Sequence, residues 1–217
     1  MTDPTTRPRL RGLYFVTPDR ASGRIALVAA ALRGGARIIQ YRDKSGTGMA
    51  GLPEARELLA LCRKAGALLL INDDIELCLA AGADGVHLGE DDAGIADART
   101  RLGPNRVIGA SCYNDLDRAR RALAAGADYV AFGSVYPSPT KPAARRANPG
   151  LLRAARGELS APICAIGGIT PDNAAPIIAA GADMIAVIQA ISEAPNPEAA
   201  ARALQALFAQ TAAHTTP

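Results

Sequence analysis

Short apolar runs alternate along the chain with longer segments in which alanine and leucine recur among charged residues. A short apolar run bounded by Gly, Pro or Asn is typical of a buried strand, and the longer segments are typical of helices that pack on such strands. We predict eight strands, at residues 12–17, 38–44, 67–71, 86–88, 107–110, 129–132, 163–166 and 184–188. The helices predicted between and after them include 25–32, 53–64, 75–81, 115–125, 171–180 and 197–208.

One phrase recurs where predicted helices end. Residues 81–84, 125–128 and 180–183 all read Ala-Gly-Ala-Asp, and an apolar strand follows each copy. Glycine can take the left-handed conformation that ends a helix, so the phrase marks a helix-to-strand junction. The copies lie 44 and 55 residues apart, which leaves room for two strand-helix units between them.

Eight strand-helix units in about 200 residues predict an α/β protein, a single (β/α)8 TIM barrel. We assign residues 1–217 to one domain, with a core of about 12–210, a flexible N-terminal arm at 1–11 and a C-terminal tail at 211–217. A doubly wound open sheet is the alternative. Against it, no Gly-x-Gly-x-x-Gly follows the first strand, and polar residues end nearly every strand.

The second strand predicts where the chemistry lies. Side chains alternate faces along a strand, so Gln40, Arg42 and Lys44 share one face while Tyr41 faces the helices. From Gln40 to Lys44 is roughly 13 Å, which suits an elongated anionic ligand. Solvated charges at a strand end are the simpler alternative for these three residues taken alone.

Other strand ends add carboxylates and bare backbone. Asp73 follows strand three, and residues 90–92 (Glu-Asp-Asp) follow strand four, so the two groups could share Mg²⁺. Asp74 is assigned to helix capping, and His87 is interpreted as structural rather than as a ligand. Gly167 and Gly168 precede a predicted helix and are expected to bind phosphate through backbone N–H groups. The proline-rich segment 137–149 is long for a loop and is a candidate lid.

The composition limits the kinds of molecule that the protein is expected to bind. The net charge is only +3 (24 Lys and Arg against 21 Asp and Glu), which does not favour nucleic acid. The four cysteines form no Cys-x-x-Cys pair, as expected of reduced thiols in a cytoplasmic protein. Neither a signal peptide nor a membrane-spanning run is evident, so we expect small phosphorylated substrates and no membrane partner. A homo-oligomer stays open.

Five stretches taken together resemble the thiamine-phosphate synthase family. They are residues 40–44 (QYRDK), 71–74 (INDD), 86–92 (VHLGEDD), 136–141 (YPSPTK) and 166–170 (IGGIT). The resemblance covers about residues 12–192, and each stretch lies at a predicted strand end. It implies a TIM-barrel transferase that joins an aminopyrimidine methyl diphosphate to a thiazole ethyl phosphate, or to its carboxylate form, and releases pyrophosphate.

The resemblance also implies roles for individual residues. Catalysis falls to Arg42, Lys44 and Lys141, and Mg²⁺ to Asp73 and Asp92. The pyrimidine diphosphate is expected at Gln40, Tyr41, Arg42, Asp43, Lys44, Asn72, Ser111 and Lys141. The thiazole phosphate is expected at Ser138, Pro139, Thr140, Gly168, Ile188 and Gln189.

Some residues depart from the family pattern, so alternative functions are also considered. Ser138 replaces a common Thr, Glu90 a common Gln and Gln189 a common Ser, and Cys112-Tyr113 replaces a pair that ends in His. A thiazole tautomerase would need a His at that last position, and a regulatory barrel would have lost the metal carboxylates. An unrelated phosphosugar isomerase is not excluded by fold alone.

Overall fold

The computed structural model describes residues 10–19, 22–44, 48–89, 94–137 and 147–213, with side chains to residue 209. Eight parallel strands form a closed barrel in which β1 pairs with both β2 and β8. The strands are β1 (Gly12–Val16), β2 (Ile38–Tyr41), β3 (Leu68–Asn72), β4 (Gly85–Leu88), β5 (Val107–Tyr113), β6 (Tyr129–Gly133), β7 (Ile163–Ile166) and β8 (Met184–Val187). The predicted fold class is therefore confirmed.

Helices cover the outside of the barrel. They are α1 (Arg24–Arg33), α2 (Leu52–Ala65), α3 (Ile75–Ala81), α4 (Ile95–Leu102), α5 (Leu116–Ala124), α6 (Pro149–Glu158), α7 (Ala174–Ala179), α8 (Gln189–Ser192) and α9 (Pro197–Ala213), with a 3₁₀ helix at Gly48–Gly51. Helix α9 packs against α1 and α7. Among the described residues, none of these helices has both the length and the apolar character needed to cross a membrane.

Several predicted boundaries differ from the structure: β2 ends at Tyr41 rather than at 44, and β5 continues to Tyr113 rather than ending at 110. Leu10, assigned to a flexible arm, is buried against the barrel interior. Helix α9 continues to Ala213, into the segment assigned to the tail. Helix α7 begins at Ala174 rather than near 171, because the Asn173 side chain accepts from Thr170 N and donates to Gly168 O, which holds the chain in a turn.

The core has two layers. The larger layer lies between the barrel and the helices, and the smaller one fills the barrel with side chains such as Ile38, Leu70 and Met184. Tyr14 and Tyr129 belong to this interior layer. A Cβ on Gly109 would overlap the Tyr129 ring, so this glycine makes room for an aromatic side chain inside the barrel.

Candidate active site

A cavity of about 500 Å³ opens at the C-terminal ends of the strands. This volume suits a small-molecule site. It is lined by most of the predicted site residues that the structure describes: Gln40, Arg42, Lys44, Asn72, Asp73, Ser111, Gly168, Ile188 and Gln189. The predicted residues Asp92, Ser138, Pro139, Thr140 and Lys141 lie outside the described residues.

Tyr41 points away from the cavity, as the alternation along β2 predicts. Its hydroxyl donates to Glu54 Oε2 on α2 at 3.0 Å, and the Arg24 guanidinium carbon lies 5.1 Å from the ring centroid. Within the described part of the chain, Tyr41 and Asp43 are not among the cavity-lining residues. The Tyr41 side chain belongs to the outer layer. The assignment of Tyr41 and Asp43 to the pyrimidine diphosphate site stays a prediction.

Arg42 is held at the mouth by residues that follow β1. Thr17 is fully buried; its Oγ1 accepts from Arg42 N at 2.9 Å and donates to Arg42 O at 3.2 Å. The Arg42 guanidinium pairs with Asp19 Oδ2 at 2.8 Å, and Lys44 N donates to Asp19 Oδ1 at 3.1 Å. Asp19 is not among the residues predicted from the sequence, although its position directly after Pro18, at the end of the first strand, was an available signal.

Asp73 occupies a constrained position at the end of β3. Its φ is 63°, a conformation that non-glycine residues adopt infrequently and that is often found at functional sites. Asn72 Nδ2 donates to Asp73 Oδ2 at 2.6 Å, and Gly89 N donates to Asp73 Oδ1 at 3.2 Å. Both oxygens therefore accept hydrogen bonds, as expected of an ionised carboxylate. Asp74 caps α3 by accepting from Leu77 N at 2.7 Å, which confirms that assignment.

The side chains near Asp73 fit a magnesium ion that takes most of its ligands from water and substrate phosphate rather than from the protein. Among the described residues, no group of three or more His, Cys, Asp or Glu side chains could hold a metal. Magnesium, however, commonly uses one or two carboxylates and completes its shell with water and substrate phosphate. Asp73 supplies one such carboxylate on the cavity wall.

A row of hydrogen bonds crosses the cavity floor from Gln40 to Ser111. Gln40 Nε2 donates to the Tyr14 hydroxyl at 2.7 Å, and that hydroxyl lies 3.0 Å from the Tyr129 hydroxyl. His87 continues the row, with Nδ1 at 2.8 Å from the Tyr129 hydroxyl and Nε2 at 2.9 Å from Ser111 Oγ. Burial raises the pKa of both tyrosines, so both remain protonated at neutral pH. The interpretation of His87 as structural missed that it lines the cavity.

The end of β5 is shaped by Tyr113 and Arg118. The pairing register shifts between Ser111 and Tyr113, and Tyr113 has a φ of 54°. Arg118 donates through Nε to Ser111 O at 2.8 Å and lies 5.7 Å from the Tyr113 ring centroid. Tyr113 thus lines the cavity with its ring against a cation, and Arg118 steadies the backbone of Ser111.

Gly167 and Gly168 form a tight turn on the opposite wall. Their φ values are 107° and 62°, and a Cβ on either would overlap the β6 loop at Ser134 or Pro137. Glycine is therefore required here for close approach. The turn does not lead directly into a helix, since α7 begins only at Ala174 and has six residues. The predicted helix-dipole contribution to phosphate binding is corrected accordingly, and what remains is a cavity wall of bare backbone.

Comparison with known proteins agrees with the geometry. The family described as "Thiamine monophosphate synthase" matches residues 13–191. Thiamine-phosphate synthase of Thioalkalivibrio sulfidiphilus is 56% identical over 94% of this chain and 98% of its own. Thiamine-phosphate synthase of Thiobacillus denitrificans is also 56% identical, over 91% of this chain and 95% of its own. The solved thiamine phosphate pyrophosphorylase from Pyrococcus furiosus superposes with a TM-score of 0.86 at 35% identity, covering 94% of this chain and 98% of that one.

These likenesses span the whole barrel and decide between the rival readings of the scaffold. If the protein were a tautomerase, a regulatory barrel or a phosphosugar isomerase, similar proteins with those names would be expected. The three similar proteins given above are instead all named for thiamine phosphate synthesis. The chain therefore belongs to the thiamine monophosphate synthase family and is a transferase.

Proposed function

We propose that the cavity couples an aminopyrimidine methyl diphosphate to a thiazole ethyl phosphate, or to its carboxylate form, to give thiamine phosphate and pyrophosphate. The observation that carries this proposal is the convergence of Gln40, Arg42 and Lys44 with Asp73 on one side of a cavity whose other wall is Gly168. One wall suits a diphosphate with an attached ring, and the other suits a second phosphate.

The proposed reaction requires no covalent intermediate with the protein. The bond between the pyrimidine methylene carbon and the diphosphate oxygen breaks, and the electron pair leaves with pyrophosphate. The resulting cation is stabilised by its own amino-substituted ring, and the thiazole nitrogen then forms the new carbon–nitrogen bond. The protein's part is to hold both substrates in line and to stabilise charge that grows on the leaving diphosphate.

The cations at the end of β2 are assigned to the leaving group. Arg42 and Lys44 offer donors for phosphate oxygens, and Arg42 is oriented in advance by Thr17 and Asp19. We assign Lys141 to the same task, on the family resemblance alone. Gln40, Asn72 and Ser111 are assigned to the pyrimidine ring and its diphosphate.

Magnesium is part of the proposal. Asp73 would hold it, together with Asp92 from the resemblance, and the ion would supply neutralising charge to the diphosphate oxygens. The thiazole phosphate is assigned to the wall of Gly168, Ile188 and Gln189, with Ser138, Pro139 and Thr140 contributed by the segment at 137–149. Most of the candidate lid at 137–149, residues 138–146, lies outside the described residues.

We further propose a cytoplasmic enzyme whose partners are small phosphorylated substrates rather than nucleic acid. The support is chemical. All four cysteines (Cys62, Cys78, Cys112 and Cys164) are buried and unpaired, as is usual in a reducing compartment, and the net charge is only +3.

One assay tests the reaction. The purified protein is mixed with both phosphorylated halves and Mg²⁺, and thiamine phosphate and pyrophosphate are measured. Equal amounts of the two products are expected. Conversion of a thiazole isomer without pyrophosphate release would instead identify a tautomerase, and no reaction under saturating substrates would refute the coupling.

A further inference from the structure

The turn at Gly167 and Gly168 is held from outside the cavity by Asn173. Asn173 Nδ2 donates to Gly168 O at 3.0 Å, and Asn173 Oδ1 accepts from Thr170 N at 2.8 Å. A backbone N–H only donates and a carbonyl only accepts, so the two contacts fix which end of the Asn173 amide is which. Gly168 and Thr170 line the cavity, whereas Asn173 is not among the described residues that do. Its side chain therefore lies behind the cavity wall, in one defined orientation.

Tyr136 fastens the same turn to the loop that follows β6. Its backbone N–H donates to Gly167 O at 3.0 Å, and its hydroxyl donates to Asn173 O at 2.9 Å. Its ring packs against the outer layer of the core. Tyr136 thus contacts both the turn and the residue that holds the turn.

These contacts decide which way two peptide units of the turn face. The peptide bonds that join Gly167, Gly168 and Ile169 are trans, and in a trans peptide the C=O and the N–H point in opposite directions. Tyr136 N engages the carbonyl of the first unit, and Asn173 Nδ2 engages the carbonyl of the second. The N–H groups of Gly168 and Ile169 therefore point away from Tyr136 and Asn173, and both residues line the cavity.

Two successive N–H groups on the cavity wall suit an anion. Within the described part of the chain, Gly168 N and Ile169 N donate to no other backbone group. Successive backbone N–H groups in a turn form a concave site for phosphate. The two carbonyls that would repel a phosphate are engaged elsewhere, by Tyr136 and Asn173.

We propose that Asn173, supported by Tyr136, is a positioning residue that keeps the N–H of the Gly168–Ile169 peptide directed at a bound phosphate monoester. The proposal rests on the proposed function, since it explains how the wall assigned to the thiazole phosphate is set for that group. Gly168 has a φ of 62° and no side chain to restrict its rotation. Without the Asn173 amide, this peptide is free to turn over and to present its carbonyl oxygen to the phosphate.

The first measurement is binding. Calorimetric titration with the thiazole ethyl phosphate compares the wild-type protein, Asn173→Ala and Tyr136→Phe, with pyrophosphate and Mg²⁺ present to occupy the wall of Arg42 and Lys44. The Kd is expected to rise about tenfold for Asn173→Ala. It should rise about threefold for Tyr136→Phe, because that variant loosens Asn173 but leaves its amide in place. An unchanged Kd for folded Asn173→Ala would overturn the proposal.

The second measurement separates positioning from stability. KM for the thiazole phosphate is expected to rise about tenfold in Asn173→Ala, while KM for the pyrimidine diphosphate stays at its wild-type value. A residue that only stabilised the start of α7 would lower the amount of folded enzyme and leave both KM values unchanged. Equal increases in the two KM values would likewise contradict a role confined to the phosphate wall.

The matched control is Asn196→Ala. Asn196 Oδ1 accepts from Ala199 N at 3.0 Å at the start of α9, so this variant also removes an asparagine from a helix-start turn. Asn196 is not among the described residues that line the cavity, and its loss should lower stability without changing the Kd for the thiazole phosphate.

A second variant covers the case in which Asn173→Ala does not fold. Asn173→Asp keeps the acceptor for Thr170 N and loses the donor to Gly168 O, so it should weaken thiazole phosphate binding at least as much. Wild-type affinity in folded Asn173→Asp would refute the positioning role alone. A wild-type protein that makes no thiamine phosphate would instead refute the proposed function.

Discussion

At the N-terminal end of the barrel the polar side chains repeat, whereas those at the C-terminal end differ from strand to strand. Asp84, Asp128 and Asp183, from the three copies of Ala-Gly-Ala-Asp, each accept a backbone N–H at 2.8 Å at the start of the preceding strand. At the other end the cavity wall brings together three amides, two cations, a carboxylate and an imidazole. The repeated contact ties neighbouring strands together and is therefore structural. The varied set of side chains is what a site for one particular ligand requires.

Arginines strengthen the same contrast. At the N-terminal end, Arg99 donates to Asp128 Oδ2 at 2.6 Å, and Arg156 pairs with Asp183. These ion pairs complete the ties between neighbouring strands. At the C-terminal end, Arg42 pairs with Asp19 on a loop, at the edge of the cavity. Arg–Asp pairs are thus structural at the N-terminal end, whereas at the C-terminal end the arginine is available to a ligand. Substitutions at the two ends are therefore expected to have different effects.

The largest effect is expected for Arg42→Ala. Removing the guanidinium leaves the leaving group without one of its donors, so kcat/KM for coupling should fall by about 10²- to 10³-fold. The unfolding free energy should change by less than about 1 kcal/mol, because the pair with Asp19 is near the surface. Arg33→Ala is the control, since Arg33 pairs with Glu198 far from the cavity and its loss should leave turnover unchanged. Full turnover by Arg42→Ala would contradict the assignment of the C-terminal end.

Asp73→Asn should reduce coupling on the order of 100-fold. Asparagine tolerates the positive φ of this position better than alanine does, so the substitution removes charge with little strain. The amount of Mg²⁺ needed for half-maximal activity should also rise. The adjacent Asp74→Asn is the matched control, because asparagine caps a helix about as well as aspartate. Identical magnesium curves for Asp73→Asn and the wild-type protein would remove Asp73 from the metal site.

Asp128→Ala should act on stability rather than on catalysis. It leaves Ile108 N and the Arg99 guanidinium without their carboxylate partner, so unfolding should become easier by about 2–3 kcal/mol. Urea denaturation measures the loss, and the folded fraction should retain wild-type kcat/KM. Asp117→Ala, which removes an exposed carboxylate on α5, provides the control. A large fall in kcat/KM for folded Asp128→Ala would mean that the two ends of the barrel are not separable.

The sequence was informative where contacts are local or repeated. Strand alternation placed Gln40 and Tyr41 on opposite faces, and the repeated phrase predicted the junctions that the structure contains. The floor of the site was harder, because Tyr129 stands at the start of an apolar strand and meets Tyr14 only when the barrel closes. Likewise, the late start of α7 depends on one asparagine side chain, which no periodicity reveals.

The smallest effect is expected for a substitution on the outer face of β2, opposite the face that carries Gln40. Tyr41→Phe removes the hydrogen bond to Glu54 and should cost about 1 kcal/mol of stability near neutral pH. Burial, and then the carboxylate of Glu54, raise the pKa of Tyr41 from 10.0 to about 12. The unfolded chain therefore loses this proton first, so the stability that Tyr41 contributes is complete below pH 10 and is lost as the pH rises through 12. Urea denaturation from pH 8 upward should show the gap between wild type and Tyr41→Phe narrowing above pH 10, and a constant gap would place the hydroxyl in contact with solvent rather than in the outer layer.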